Sequence, residues 1–145
     1  MATVQVLLDR KGTEVVCIGP EASVLEAARR MTERGIGGLV VVEATGQLLG
    51  IFTERDILRR VVAVGLDPAR TRVADVLTTN LITCLPETSV EECATIMSSR
   101  RIRHLPVADH TGLRGVVTSG DVLAFRVAES EATVQYLNSY MFDIR

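Results

Sequence analysis

The chain of 145 residues contains one sequence pattern twice, and this internal repeat restricts its possible folds more than any other feature. When the sequence is shifted by 66 positions, residues 20–34 align with residues 86–100. The residues shared in that alignment are Pro20, Glu21, Ser23, Val24, Glu26, Ala28, Met31 and Arg34. After one deleted residue, Gly50, Thr53, Asp56 and Leu58 align with Gly115, Thr118, Asp121 and Leu123. Two copies of one supersecondary unit are therefore predicted to fill most of the chain.

Each copy predicts the element order β-α-β-β-α. The first helix is expected to begin at the capping pattern Ser23-x-x-Glu26 or Ser89-x-x-Glu92, and apolar residues then recur at helical spacing. In the first copy, Gly35 is a plausible end of that helix. A two-strand hairpin follows each helix, and the predicted strands are Ile36–Val42, Leu48–Phe52, Leu105–Ala108 and Leu113–Val117.

The repeat also predicts the domain organisation. The first repeat with an N-terminal lead-in covers residues 1–66, and a linker with a short helix covers 67–77. The second repeat covers 78–128, and a C-terminal helical tail covers 129–145. Val4–Leu8 and Val73–Leu77 are predicted as matching lead-in helices. The tail carries apolar residues and tyrosines suited to a helix that lies either on a partner subunit or on its own chain.

Composition excludes several classes of function. Hydrophobic residues make up 47% of the chain, which is enough for a globular core, but the longest uncharged stretches are far shorter than the roughly 20 apolar residues of a membrane-spanning helix. A net charge of −2 and 3% aromatic residues argue against nucleic acid as a partner. No secretory signal is visible, and three cysteines without a CxxC pair favour unbridged thiols in a reducing cytoplasm.

Two Thr-x-x-Asp elements are the strongest candidates for binding chemistry. Thr53 and Asp56 in the first copy, and Thr118 and Asp121 with Gly120 between them in the second, follow a strand and open a helix. A helix N-terminus presents free amides and partial positive charge, so the Thr hydroxyl can donate to a phosphate while the Asp accepts both hydroxyls of a ribose. The alternative is that each Thr only caps its helix.

The repeat, the hairpins and the two Gly-x-x-Thr-x-x-Asp endings resemble tandem cystathionine-β-synthase (CBS) domains. The segment Arg101-Ile102-Arg103-His104-Leu105-Pro106-Val107 strengthens the likeness, which runs from about Val15 to Phe125. The resemblance implies a mixed α/β fold of the α+β type, a Bateman module in which two repeats pack through their sheets about a pseudo-twofold axis. It also implies two clefts that take adenosine compounds and a disc-shaped homodimer.

The resemblance further implies which residues share each cleft. One cleft would combine the opening of the first repeat with residues of the second, namely Ile18, Ile36, Gly37, Gly38, Arg103, His104, Thr118 and Asp121. The other would combine Thr83 with Thr53 and Asp56.

A difference in charge distinguishes the two copies. Arg103 and His104 stand where the first copy has Gly37 and Gly38. Arg suits phosphate, whereas glycine lets a flat base approach the backbone closely. The Thr118–Asp121 cleft is therefore predicted to be the tighter nucleotide site, although Arg103 and His104 also fit a surface groove without a ligand.

The sequence points to a binding protein and not to an enzyme, because no phosphate-binding loop, zinc-protease motif or dinucleotide fingerprint is present. No catalytic cofactor and no metal site are expected. The predicted ligand is AMP, ADP, ATP or NAD(H), and S-adenosylmethionine is less favoured because an Arg-His pair suits phosphate better than a sulfonium. Such a sensor would act on a regulated protein not identified by the sequence, and the competing hypothesis is a ligand-free scaffold for protein interaction.

Overall fold

The computed structural model describes residues 1–12, 14–78 and 81–142. The chain divides into two compact units, a first-repeat unit of residues 14–83 and a second-repeat unit of residues 1–13 and 84–145. In chain order the helices and strands are α1 (Val4–Lys11), β1 (Cys17–Ile18), α2 (Val24–Arg34), β2 (Gly38–Val42), β3 (Leu48–Thr53), α3 (Glu54–Ile57), α4 (Val73–Val76), α5 (Val90–Arg100), β4 (His104–Asp109), β5 (Gly112–Thr118) and α6 (Ser119–Phe142).

The first-repeat unit contains a three-stranded sheet in the order β1-β2-β3. Strand β1 runs parallel to β2, and β2 and β3 form an antiparallel hairpin. One face of α2 is buried because Val24, Ala27 and Met31 recur at helical spacing and pack with Phe52. After α3 the chain continues as a single π-helical turn, Leu58–Val62, so the second helix of this copy is short.

The second-repeat unit repeats the same pattern with a two-stranded sheet. Strands β4 and β5 pair antiparallel, and Cys84 forms an isolated parallel bridge to Val107 at the position that β1 occupies in the first copy. Helix α5 buries Val90, Cys93 and Met97. The order β-α-β-β-α predicted for each copy is thus present, and the mixed α+β fold is confirmed.

The local signals at the helix ends act as expected. Ser23 Oγ accepts from the Glu26 amide at 3.1 Å, and Ser89 Oγ accepts from the Glu92 amide at 3.0 Å. Gly35 ends α2 with φ 63° and ψ 36°, a left-handed conformation that costs glycine little. The second copy uses Arg101 at that position with φ 56°, which the sequence does not indicate.

The lead-in helices are exchanged between the repeats. Helix α1 packs in the second-repeat unit, where the amides of Val4 and Gln5 donate to the carbonyls of Thr88 and Pro86 at 2.8 and 3.0 Å. Helix α4 does the same in the first-repeat unit, where the amides of Val73 and Ala74 donate to the carbonyls of Ala22 and Pro20 at 2.8 and 2.9 Å. The assignment of the N-terminal lead-in to the first repeat, within residues 1–66, is therefore corrected.

Each hairpin has a glycine against which the segment of the exchanged lead-in helix packs. At Gly115 in β5, an added Cβ would lie 2.7 Å from Leu8 Cδ2 of α1. At Gly50 in β3, an added Cβ would lie 3.4 Å from Leu77 Cδ1, just after α4. Close packing of Leu8 thus explains Gly115, because any side chain there would displace it. At Gly50 the tightest contact is instead with the Thr78 carbonyl oxygen, which would lie 3.2 Å from the added Cβ.

The hairpin turn of the second copy is fixed by Asp109. Its carboxylate accepts from the Thr111 amide and hydroxyl and lies 3.4 Å from the Arg114 guanidinium. The Thr111 hydroxyl is the largest of several causes that lower the pKa of Asp109 below its usual value. The strands extend one residue beyond the predicted ends at both sides of this hairpin.

Candidate functional site

Thr118 and Asp121 form a reciprocal cap at the start of α6. Oδ2 of Asp121 accepts from the Thr118 amide at 2.8 Å, and the Asp121 amide donates to Thr118 Oγ1 at 3.1 Å. The capping role considered from the sequence is therefore present. It does not exhaust either group, because the Thr hydroxyl keeps a proton to donate and a carboxylate has several acceptor positions.

Lys11 at the end of α1 completes this half-site. Its Nζ lies 2.7 Å from Oδ2 of Asp121 and donates to the Val116 carbonyl at 2.9 Å. The side chains of Lys11 and Asp121 are 32% and 21% exposed. Lys11 Nζ and the Thr118 amide both donate to Oδ2 of this carboxylate.

Sequence reasoning missed Lys11. The only signal was that it is the single lysine among 16 basic residues, and that signal does not say what it contacts.

Arg103 and His104 lie beside the same helix start. His104 is the β4 residue paired with Thr118, and the Ser119 amide donates to the Arg103 carbonyl at 3.0 Å. Gly120 is exposed in the first turn of α6. The structure thus brings Arg103, His104, Thr118 and Asp121 together at one end of the hairpin, as the sequence predicts for the second repeat.

The first-repeat unit presents the corresponding arrangement without the basic residues. Gly38 pairs with Thr53, and the Glu54 amide donates to the Gly37 carbonyl at 2.9 Å. These contacts match those of His104 and Arg103, which confirms the alignment of the two glycines with that pair.

Thr53 and Asp56 also form a capping box. Oδ2 of Asp56 accepts from the Thr53 amide at 2.9 Å and from its hydroxyl at 3.1 Å. The Nε of Arg60 lies 3.9 Å from Oδ1 of Asp56. This carboxylate therefore has a looser ion pair than Asp121.

The two helix starts differ in the charged groups around the residues that align with each other. Oε1 of Glu54 lies 3.0 Å from where a Cβ on Gly37 would be, so a carboxylate fills the space that a side chain at that position would use. The second repeat has Arg103 at the aligned position and Lys11 nearby. An anion is therefore favoured more at the Thr118 half-site than at the Thr53 half-site.

The remaining predicted residues differ in accessibility. Ile18 is only 3% exposed and belongs to the core of the first-repeat unit, so its side chain is not accessible to a ligand and only its backbone can contribute. Ile36 is 36% exposed, and Thr83 is also exposed.

Residues 1–12, 14–78 and 81–142 contain neither a metal-binding cluster nor a membrane-spanning helix. No group of three or more His, Cys, Asp or Glu side chains is arranged to hold a metal ion. Within the same ranges, no helix has the length and apolar character to cross a bilayer.

Comparison with known proteins agrees with the geometry. The CBS domain family matches residues 11–63 and 73–128. The chain belongs to the CBS domain family. This tandem CBS pair is 41% identical over 123 residues to a mitochondrial CBS domain-containing protein of Arabidopsis thaliana, a match that covers 82% of this chain and 60% of the relative. The chain therefore spans less than two thirds of that relative's length.

Solved structures share the fold of the CBS pair. A CBS-domain containing protein from Agrobacterium tumefaciens has a TM-score of 0.80 and 39% identity, with 86% of this chain and 98% of that chain covered. The CBS domain pair of protein MJ0100, in complex with 5′-methylthioadenosine and S-adenosyl-L-methionine, has a TM-score of 0.78 and 25% identity, with 89% and 98% covered.

Proposed function

We propose that this CBS pair is a regulatory module that binds an adenine nucleotide, AMP, ADP, ATP or NAD(H), principally at the Thr118–Asp121 half-site. The observation that carries the proposal is the gathering of one ribose acceptor and three basic residues, Lys11, Arg103 and His104, at the N-terminus of α6. An anion placed there meets the helix dipole and fixed positive charge together.

We propose a role for each group. Oδ1 of Asp121 accepts a hydrogen bond from one ribose hydroxyl. Oδ2 accepts from the other hydroxyl, either together with the Lys11 ammonium or after that ammonium has moved away. The Thr118 hydroxyl donates to a phosphate oxygen, since its lone pairs already accept from the Asp121 amide. Arg103 offers phosphate a planar fork of donors.

Residues of the first-repeat unit remain part of the proposal as nucleotide contacts. Thr53 and Asp56 offer a second ribose acceptor, and the remaining contacts are Ile36, Gly37, Gly38 and Thr83 together with the backbone of Ile18. The Glu54 carboxylate makes this half weaker toward phosphate.

The neighbour MJ0100 was solved with two adenosyl compounds, which supports adenosine as the common element. S-adenosylmethionine itself is disfavoured here, because its sulfonium would approach Lys11 and Arg103 with a charge of the same sign.

The nucleotide is proposed to act by shifting a conformational equilibrium, and it can do so only to the extent that its affinity differs between the two states. A homodimer and a regulated protein of unknown identity are the proposed recipients of that shift. The proposed setting is a reducing cytoplasm, consistent with the free thiols of Cys17, Cys84 and Cys93.

Calorimetry and thermal shift with adenosine, AMP, ATP, NAD(H) and S-adenosylmethionine test the proposal. We expect a nucleotide to raise the melting temperature. Asp121→Asn keeps an acceptor for the Thr118 amide but loses the charge, so affinity should fall roughly 10- to 100-fold, the equivalent of a hydrogen bond to a charged group. Asp56→Asn is the matched variant in the other repeat and should cost less.

The competing function is a scaffold whose Thr residues only cap helices, and the capping boxes at both sites favour it. That function is correct if every adenine compound at millimolar concentration leaves the melting temperature unchanged. Appearance of product on prolonged incubation would instead indicate an enzyme.

A further inference from the structure

Helix α6 is packed along its first turns and exposed along its later part. Its first turns pack on the second-repeat unit, where Val122 is 5% exposed, the Arg10 guanidinium lies 5.7 Å from the Phe125 ring centre, and Arg126 forms an ion pair with Glu91 at 3.1 Å. From residue 129 to residue 141, every side chain is exposed.

The outer face carries a continuous line of mostly apolar side chains, which we call the 123–141 stripe. Its members are separated by alternating steps of four and three residues, and they are Leu123, Val127, Ser130, Val134, Leu137 and Met141. At about 100° per residue, these six positions lie within about 40° of one line along the helix, opposite Phe125. The apolar members are 47–69% exposed.

The spacing is that of a two-stranded coiled coil. In heptad terms Val127, Val134 and Met141 occupy position a, while Leu123 and Leu137 occupy position d. β-Branched residues at a with leucine at d favour parallel dimers. Ser130 is the one polar residue at d, and it is small enough to lie between two helices.

The flanking charges select the parallel orientation. Arg126 is at position g and Glu131 is at the following position e. In a parallel pair, position g of one helix faces the following e of the other, so Arg126 meets Glu131 of the partner subunit twice across the symmetry axis. An antiparallel pair places g against g and offers no such match.

The energetics of the isolated chain also call for a partner. The exposed stretch is shorter than about 15 residues, and helices of that length are marginal in water without tertiary packing. A shallow, open surface concavity on this helix includes stripe residues and both charged flanks, and it is lined by Arg126, Val127, Ser130, Glu131, Val134 and Gln135. Because all six belong to one helix, it is a docking face and not an enclosed ligand pocket.

We propose that the 123–141 stripe of α6 binds the same stripe of a second copy of this chain as a parallel, in-register coiled coil. The inference specifies the interface of the proposed homodimer, and it does not depend on the nucleotide half-site.

Light scattering of the full chain at tens of micromolar, with matched variants, tests the interface. The wild type and Ala132→Glu, a change at exposed position f, should have the mass of two chains. Leu137→Glu should have the mass of one chain, because it buries a charge at the seam. Leu137 is 50% exposed in the single chain, so its replacement removes little packing within one subunit, and a cooperative thermal transition of the variant checks that the two repeats still fold.

Orientation and register are tested by oxidative cross-linking in a Cys17→Ser background. Two Ser130→Cys thiols should be joined as a disulfide by added oxidised glutathione, because equal d positions face each other only in a parallel, in-register pair. Ala132→Cys on the outer face should stay reduced.

A monomeric wild type, a Leu137→Glu variant that remains dimeric, or cross-linking at 132 in preference to 130 would each overturn the interface. Nucleotide thermal shift of Leu137→Glu is measured in parallel. If Leu137→Glu is monomeric and a nucleotide still raises its melting temperature, both proposals are supported. If the wild type is dimeric but no nucleotide raises its melting temperature, only the nucleotide site is contradicted.

Discussion

Replacement of Lys11 by Met removes the cation of the candidate site while keeping a long side chain. The ammonium lost lies 2.7 Å from Asp121 Oδ2 and 2.9 Å from the Val116 carbonyl. The side chains of Lys11 and Asp121 are 32% and 21% exposed, so this ion pair is intermediate between a surface pair and a buried pair. A surface pair contributes about 0.2–1 kcal/mol to stability, and breaking a buried pair costs about 3–5 kcal/mol. We expect the free energy of unfolding to fall by about 1–2 kcal/mol, and Tm by about 2–4 °C for each kcal/mol.

Thermal and urea unfolding of a double-mutant cycle with Asp121→Asn measures this coupling, which we expect to be about 1 kcal/mol. Arg34→Met is the matched control, since Arg34 and Glu14 form a 3.0 Å ion pair whose side chains are 54% and 79% exposed. That control should change stability by less than about 0.5 kcal/mol. Equal losses for the two variants, with no coupling between Lys11 and Asp121, would refute the reasoning.

The same variant separates competition for the ribose site from phosphate binding. Lys11→Met frees Oδ2 of Asp121 for ribose but removes a phosphate partner. Calorimetry should therefore show adenosine binding at least as tightly as to wild type, while the preference for AMP over adenosine falls. An unchanged preference would show that Lys11 does not contact phosphate.

Three further outcomes are expected. In urea unfolding, Gly115→Ala should destabilise the protein by about 1–3 kcal/mol, because the added methyl group overpacks against buried Leu8. Leu8→Val should partly restore the stability of that variant. Gly19→Ala, where an added Cβ meets open space, should be neutral or slightly stabilising. Of the three thiols, Cys17 alone should react with a chromogenic disulfide reagent before unfolding, and more slowly than free cysteine because burial raises its pKa. Asp109→Asn should lower Tm at pH 7. The pKa of Asp109 is lower in the folded protein than in the unfolded chain, so its ionised carboxylate stabilises the fold at pH values above the unfolded-state pKa. That difference should close as the pH falls below about 4, which a pH series of thermal melts measures.

The hydrogen-bonded geometry of the two helix starts could be predicted from the sequence because it is built from short-range interactions. Thr118 and Asp121 are three residues apart at a strand-to-helix junction, so their reciprocal hydrogen bonds are fixed locally. The equivalence of Arg103 and Gly37 also followed, because strand pairing places both next to their helix starts in the same register.

The accessibility of Ile18 could not be predicted in the same way. A β-branched residue at the opening of a repeat fits either a ligand cleft or a core. The parallel pairing of Ile18 with Val41 decided for the core, because it places the side chain among the apolar residues of α2 and β3.

The sequence by itself determined the duplication, the order of helices and strands, the caps at Ser23 and Ser89 and the left-handed end at Gly35, since all of these depend on residues within one turn or one hairpin. Only the tertiary structure decided which repeat each lead-in helix joins. It also placed Lys11 on Asp121, a contact across 110 positions of chain. The spacing of apolar residues along the sequence carries no information about such a contact. Helix α1 joins the second repeat because Leu8 is buried against Gly115 there, and not because of any local conformational preference.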